Sequence, residues 1–209
     1  MTVASAHGNS PNEVFAAIEN ASARRLLIVA LDEFAARGFH ATTTRDVSTK
    51  SGLSPAAMYV HYPSKEAMLF QIALVGHSTA RDRLRAALAE IDQTAGSAQR
   101  LEVILREFTF WHAEHTTVAR VCEYELQHLN AEHRAEIDRI RREIEVGVRD
   151  EVQRGVDCGE FSVPDVRYAT MALTSLAIDI VRWYTPGTGV TPAELADNLA
   201  VLGLKMVTA

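Results

Sequence analysis

Apolar side chains recur at helical spacing along most of the chain, and no useful stretch alternates apolar with polar. From about Ala21 to Arg37, residues Leu27, Ala30, Leu31 and Phe34 share one face, and Gly38 marks a stop. Thr43 stands three before Asp46, a capping-box-like start for a short second helix that Gly52 closes. Ser54 followed by Pro55 starts a third: Ser caps it, and Pro in a first turn forfeits no hydrogen bond. That helix can run only to about Tyr62, because Pro63 follows. Ser64 caps a longer helix from Lys65 towards Glu90. A Gly-Ser break at 96–97 opens a helix to about His115, and another runs from about Thr117 to His128. Asn130 caps a long helix with Ile137, Ile140, Ile144, Val148 and Val152 on one stripe, closed by Gly155 and Gly159. A further helix is predicted from about Pro164 to Tyr184, and Thr191-Pro192-Ala193-Glu194 announces the last. The pattern predicts an all-α chain of about nine helices.

Organisation follows from the helix lengths. Residues 1–20 form a polar leader, in part disordered, in which Val14, Phe15 and Ile18 offer a turn or two of amphipathic helix. Residues 21–70 hold very short helices around a glycine turn, the layout of a helix-turn-helix whose second element enters the DNA major groove. Residues 71–209 make a larger helical unit for ligand binding and dimerisation, with the boundary inside the fourth helix.

In that layout the first short helix braces on the DNA backbone. Thr43 and Thr44 bring hydroxyls and free N–H groups towards phosphate, and Arg45 reaches phosphate or a guanine edge. Lys50 is a further contact. The recognition helix offers Ser54, Pro55, Ala56 and Ala57 at its start, so base reading falls to thymine-methyl contact, Tyr59 and Arg45. His61 and Lys65 suit phosphate. Each residue also has a plainer reading: Tyr59 as a core aromatic, the threonines as helix caps, Lys65 as a solvated charge.

Composition changes this picture little. Of 209 residues, 47% are hydrophobic, enough for a packed core. The net charge of −6 is unusual for a DNA-binding chain. It conceals an asymmetry, because residues 21–70 carry six basic against four acidic side chains. Screening within about 8 Å limits repulsion from the acidic remainder. The two cysteines, Cys122 and Cys158, form no CxxC, which argues against a disulfide framework or zinc knuckle and fits a reducing cytoplasm. The N-terminus has no signal-peptide pattern, and the apolar run Tyr168–Val181 is too short to span a bilayer. No nucleophile–base pair, metal signature or phosphate loop favours an enzyme, and no cofactor is expected.

Phe34, Gly38, Phe39, Thr42 to Thr44, Val47, Gly52, Leu53, Ser54, Met58, Tyr59, His61, Tyr62, Lys65 and Leu69 carry a resemblance to the N-terminal domain of the TetR (tetracycline repressor) family of transcriptional regulators. It covers about residues 22 to 70, with Ala56 where the family often has Gly. The resemblance implies a homodimer on an operator, and a helical C-terminal domain that binds an inducer and pairs through its last two helices. The stretch from about Phe110 to Tyr184, with EYELQHLNAEHRAEIDRIRREIE, GVDCGEF and VRWYTPG, looks like regulators of lipid catabolism, several of which respond to acyl-CoA thioesters.

Two clusters complete the reading. Trp111, His112, His115, Cys122, Tyr124, Glu125 and His128 are candidate lining of an effector pocket, with core aromatics and surface histidines as the plainer alternative. No metal site is expected among them, since nothing makes three ligands converge. The helix around Tyr168–Val181 is apolar on nearly all sides and must be covered all round. Leu173, Leu176, Ile180 and Trp183, with Leu195, Leu199, Leu202 and Met206 of the last helix, are therefore the expected faces of a two-fold dimer. The expected function is a repressor released from a pseudo-palindromic operator by a small apolar effector. The alternative is a small-molecule-binding helical protein that does not bind DNA.

Overall fold

The computed structural model describes residues 11–92 and 94–208, all of whose regular structure is helical. Helix α1 (Pro11–Val14) ends in buried Val14, with Phe15 fully buried beside it, and it packs on α2 (Ala21–Ala41) and α5 (Lys65–Glu90). The tail of the expected leader is thus part of the core; residues 1–10 lie outside the described residues. Asn20 caps α2 by accepting from Ser22 N and Ala23 N, both at 3.0 Å. Gly38, at φ +80°, breaks the α2 ladder where a stop was predicted, and one more turn tucks Phe39 into the core.

Two short helices follow, α3 (Thr44–Lys50) and α4 (Pro55–His61), with Gly52 at φ +70° between them. Their caps and that of α5 are the predicted Thr43, Ser54 and Ser64, each accepting a backbone N–H three residues on. The expected boundary at residue 70 falls within α5, so one rod serves both parts of the chain.

The larger part contains α6 (Ser97–Glu114), α7 (Thr116–Tyr124), a 3-10 turn (Leu126–His128), α8 (Ala131–Asp157), α9 (Val166–Ile178), α10 (Ile180–Trp183) and α11 (Pro192–Val207). The helix expected over Thr117–His128 stops at Tyr124, because Glu125 at φ −104°, ψ −3° turns the chain into the 3-10 segment. The helix expected through Tyr184 is interrupted at Asp179, where Arg182 N bonds three residues back to Asp179 O. Helix α6 begins at Gly96, which has no side chain to cap with. Glu160 supplies the cap, accepting from Ser97 N at 3.2 Å and Ala98 N at 2.8 Å, and these bonds hold its carboxyl below the usual range.

Helix α5 runs through the middle, in contact with α2, α6, α7 and α8, while α11 lies along α6. Gly203 makes the latter approach possible: a Cβ there would sit 2.6 Å from Leu105 Cδ1 and 3.2 Å from Leu173 Cδ2.

Candidate nucleic-acid interface and ligand cavity

The α2–α4 unit closes on Leu27, Leu31, Phe34, Val47, Met58 and Tyr62, all buried. That core fixes what the two short helices show to solvent. Pro55, Ala56, Tyr59 and Val60 of α4 are exposed, Val60 to 81%. Tyr59 is half exposed, and its hydroxyl lies 3.3 Å from Thr44 Oγ1, tying the tip of α3 to the outer face of α4. Tyr59 is therefore no core aromatic. Arg45 projects from the same tip, exposed, and its guanidinium has no hydrogen bond or ion pair among the described residues. Ala57 and His61 are half-buried beside this face, and Ser54 spends its hydroxyl on Ala57 N at 3.1 Å.

Other expected contacts are committed elsewhere. The Thr43 hydroxyl accepts from Asp46 N at 3.1 Å and donates to Asp46 Oδ2 at 2.7 Å, a closed capping box whose bonds hold the Asp46 carboxyl low. Lys50 pairs with Glu33, which is buried and also meets Arg37 at 3.3 Å. Lys65 donates to two carbonyls at the end of α2, Phe39 O at 2.5 Å and Thr42 O at 2.7 Å, with its nitrogen 4.1 Å from the centre of the Phe39 ring. Burial lowers the Lys65 pKa. The reason is positional: Lys65, in the first turn of α5, reaches the carbonyls at the end of α2, beyond the Gly38 break. Lys65 thus acts first as a clamp, leaving one ammonium N–H for another acceptor.

The seven expected pocket residues divide into four groups. Trp111, His112 and Cys122 line a cavity of about 360 Å³ between α5, α6, α7, α8 and α9. His115 is buried outside that lining, edge-on to Trp111 at 5.4 Å and 3.5 Å from Glu114. Tyr124 is exposed and lines a separate open groove. Glu125 and His128 face the opposite way, because the 3-10 turn carries them to the joint with the N-terminal unit. There His128 stacks on Phe39 (centroids 4.9 Å apart, planes at 10°), meets His40 edge-on at 4.2 Å and pairs with Glu125 at 3.3 Å.

The cavity has wall residues that the sequence reading did not pick out. His77 and Ala80 come from α5, Phe108 from α6, Arg141 and Ile144 from α8, and Arg167, Met171, Thr174 and Ser175 from α9. Arg141 lies 3.4 Å from His77 Nε2 and 3.3 Å from Glu123. Burial is the main cause of each titration here: His77 and His112 are pushed down to about 4 and the Cys122 thiol up to about 12. The chamber has mixed walls, in which Arg141 and Arg167 are accompanied by Glu123 and Glu145, and it holds no reactive thiolate. Among the described residues no cluster of His, Cys, Asp and Glu is arranged to hold a metal ion, and no helix is long and apolar enough to cross a membrane. The cavity shares Glu123, Arg141, Thr174, Ser175 and Ile178 with the open groove, which extends to Trp183 and Met206.

The expected dimer face needs correction. Leu173, Ile180, Leu195 and Leu199 are buried within the single chain, because α9, α10 and α11 turn them onto α6. Leu176 is half-buried. The outward apolar side chains are Tyr168, Met171, Trp183, Val201, Leu202 and Met206, each between 46% and 67% exposed. Of the expected set, Trp183, Leu202 and Met206 belong to this outer face.

Residues 26–72 match the family model described as "Bacterial regulatory proteins, tetR family", and residues 94–207 the model "Tetracyclin repressor-like, C-terminal domain". The chain is 33% identical over 176 residues to the HTH-type transcriptional repressor KstR2 of Rhodococcus jostii, covering 82% of this chain and 83% of that protein. A crystal structure of a tetR-family bacterial regulatory protein from Rhodococcus RHA1 superposes with a TM-score of 0.84 at 35% identity, covering 91% of this chain and 98% of that one. AibR, described in complex with isovaleryl coenzyme A and operator DNA, shares the fold at a TM-score of 0.77 and 19% identity, over 87% of this chain and 97% of its own.

Proposed function

The chain belongs to the TetR family of bacterial regulatory proteins, and on that premise we propose a ligand-responsive repressor that grips a two-fold operator as a homodimer and lets go when an amphiphilic effector fills the cavity. The observation that carries the proposal is a shared rod: at its start α5 clamps the end of α2, just ahead of α3, through Lys65, and further along it walls the cavity with His77 and Ala80. Arg45, Tyr59, Pro55, Ala56 and Val60 form the groove-facing surface, Arg45 reading phosphate or guanine and the small apolar residues meeting thymine methyls. Thr44, Lys50 and His61 flank it, with Lys65 and Thr43 bracing. The exposed apolar residues of α9, α10 and α11 supply the two-fold contact, setting two heads about 34 Å or more apart on one face of the duplex.

For the effector, the apolar wall of Phe108, Trp111, Ile144 and Met171 suits an aliphatic or alicyclic body, and Arg141 and Arg167 suit an acid or thioester that competes with Glu123 and Glu145 for them. The isovaleryl coenzyme A held by AibR, a protein alike in fold, supports that class. Burial keeps the Cys122 thiol protonated, so the cavity offers no thiolate nucleophile. The protein works in the cytoplasm, where its DNA lies.

Fluorescence anisotropy with labelled fragments from upstream of its own gene tests the proposal. Binding should weaken steeply between about 50 and 200 mM salt, and Arg45→Ala should lower both the affinity and the salt slope. Decanoyl-CoA should lower operator affinity roughly 5- to 150-fold. A ligand that fills the cavity and leaves operator affinity unchanged would defeat the release mechanism.

A further inference from the structure

Two helices of the cavity wall carry the same device. On α5, His77 Nδ1 lies 2.8 Å from Ala73 O, and on α6, His112 Nδ1 lies 2.7 Å from Phe108 O, one helical turn back in each case. A carbonyl oxygen only accepts, so the proton sits on Nδ1 in both rings and Nε2 keeps its lone pair. Because Nδ1 is turned onto its own helix, the opposite edge of each ring faces away from that helix, towards the space both residues line. Burial keeps both imidazoles neutral, and the nearby Arg141 charge acts in the same direction. Neither ring becomes a two-way donor at neutral pH.

At Nε2 the two sites differ. His77 Nε2 faces an N–H of Arg141 at 3.4 Å. His112 Nε2 has no protein donor among the described residues, although His112 is only 8% exposed. The rings of Phe108 and Trp111 meet it edge to face, at 4.5 Å and 5.1 Å. Among the described residues the buried polar side-chain atoms left without a partner are Ser97 Oγ and Glu151 Oε1, so His112 Nε2 opens on the cavity, and a ligand that covered it without donating would strand an acceptor at a cost. His77 shows what such an acceptor takes in this chain, which is an N–H.

We infer that the effector carries a hydrogen-bond donor, a hydroxyl or N–H, in the part buried against α6, and that His112 Nε2 is the specificity-determining acceptor that reads it. The inference rests on the cavity being the effector site. It narrows the ligand from any amphiphile to one functionalised in its buried portion, a hydroxylated chain or ring being the simplest case. A site built around a hydrogen bond discriminates against the analogue lacking it far better than an apolar wall discriminates by size. A ligand offering only an acceptor there sets lone pair against lone pair and fares worst.

Three probes of one shape test this: para-propylphenol, its methyl ether and propylbenzene, titrated by calorimetry into the full-length protein. The phenol should bind at least about tenfold tighter than propylbenzene, with the ether weakest. With nitrogen-15-labelled histidine, the His112 Nε2 resonance should shift on adding the phenol and stay put with propylbenzene. His112→Phe should level phenol and propylbenzene, and His112→Gln, which retains an acceptor, should restore part of the preference. Equal binding of phenol and propylbenzene to the unaltered protein, or phenol binding with the Nε2 resonance unmoved, overturns the inference while leaving the effector site standing. If none of the three binds, the cavity is not an amphiphile site, and both readings fall.

Discussion

Gly76 of α5 faces Cys122 and Val118 of α7, and replacing it with alanine measures how tightly the rod is set. An ideal Cβ there would lie 2.8 Å from Cys122 Sγ, 3.1 Å from Val118 Cγ1 and 3.8 Å from the Trp111 ring. Two effects oppose each other. Alanine is the better helix former by about 1 kcal/mol, whereas forcing a methyl group into packed surroundings costs about 1–3 kcal/mol. The net for Gly76→Ala should run from neutral to about 2 kcal/mol destabilising. Cys122 decides the sign, since its sulfur is the nearest atom and is itself buried. In a Cys122→Ala background only the Val118 contact stays tight, so the same substitution should be neutral or stabilising by up to about 1 kcal/mol. Urea unfolding at fixed protein concentration reads this out, as a shift in midpoint with unchanged slope. The prediction is a coupling of about 1 kcal/mol or more between the two sites. Effects that add to within about 0.5 kcal/mol would refute the steric reasoning and mean that α5 moves aside freely.

Three further outcomes follow from particular contacts. Lys65→Met removes both donors to Phe39 O and Thr42 O, and should destabilise the protein by about 1–3 kcal/mol in addition to weakening DNA binding; an effect on DNA affinity alone would contradict the clamp. His77, His112 and His115 are held near 4 by burial, against 6.5 ordinarily, so between those values the unfolded chain binds protons that the folded chain refuses. Their contribution to stability is complete above the upper value and is lost as pH falls through the window. The urea midpoint should therefore drop between pH 7 and 5, less steeply in His112→Phe, and an identical slope in the variant would count against a buried neutral ring. Leu202→Glu should yield monomers in sedimentation velocity at micromolar concentration, whereas Leu199→Ala, buried within one chain, should instead lower stability by about 2–5 kcal/mol.

The parts of this molecule that a reader of the sequence can recover are those governed by local chemistry. Thr43, Ser54, Ser64, Asn130 and Thr191 each cap the helix that their position announces, because a cap depends only on three or four successive residues. The short α3–α4 pair was legible for the same reason. What failed depended on rotation about a helix axis. Helix α9 is apolar around most of its circumference, so periodicity alone could not choose between Leu173, which is buried, and Tyr168 and Met171, which face out. The arginines of the cavity were hidden by their setting. Arg141 stands in a helix crowded with charged pairs and reads as one more solvated side chain, and only its approach to His77 sets it apart. Glu125 and His128 were drawn into the pocket by their neighbours in sequence, and the 3-10 turn that follows Tyr124 sends His128 to Phe39 instead.

Those two misplaced residues help explain how cavity and DNA face communicate. Helix α5 and helix α8 are joined at several points: Arg81 and Arg85 both pair with Glu143 beyond the cavity, and two joints lie nearer the head. Near the head, Glu66 accepts from Asn130 N at 3.0 Å and meets His133 Nδ1 at 2.7 Å, while His133 stacks on Phe70 at 3.8 Å. At the cavity, Arg141 reaches His77. The two joints are eleven residues apart on α5, roughly 17 Å along a helix. A ligand that draws the Arg141 guanidinium towards itself loosens the cavity joint and leaves the Glu66 and Glu143 joints in place, so the expected response is a small tilt of α5 between them. The Phe39–His128 stack and the Lys65 clamp sit at the Glu66 end. A tilt there reorients α3 and α4 through Phe39 and Thr42, whose carbonyls Lys65 holds. Release then requires only that the effector prefer the tilted arrangement, since a ligand with equal affinity for both arrangements shifts neither.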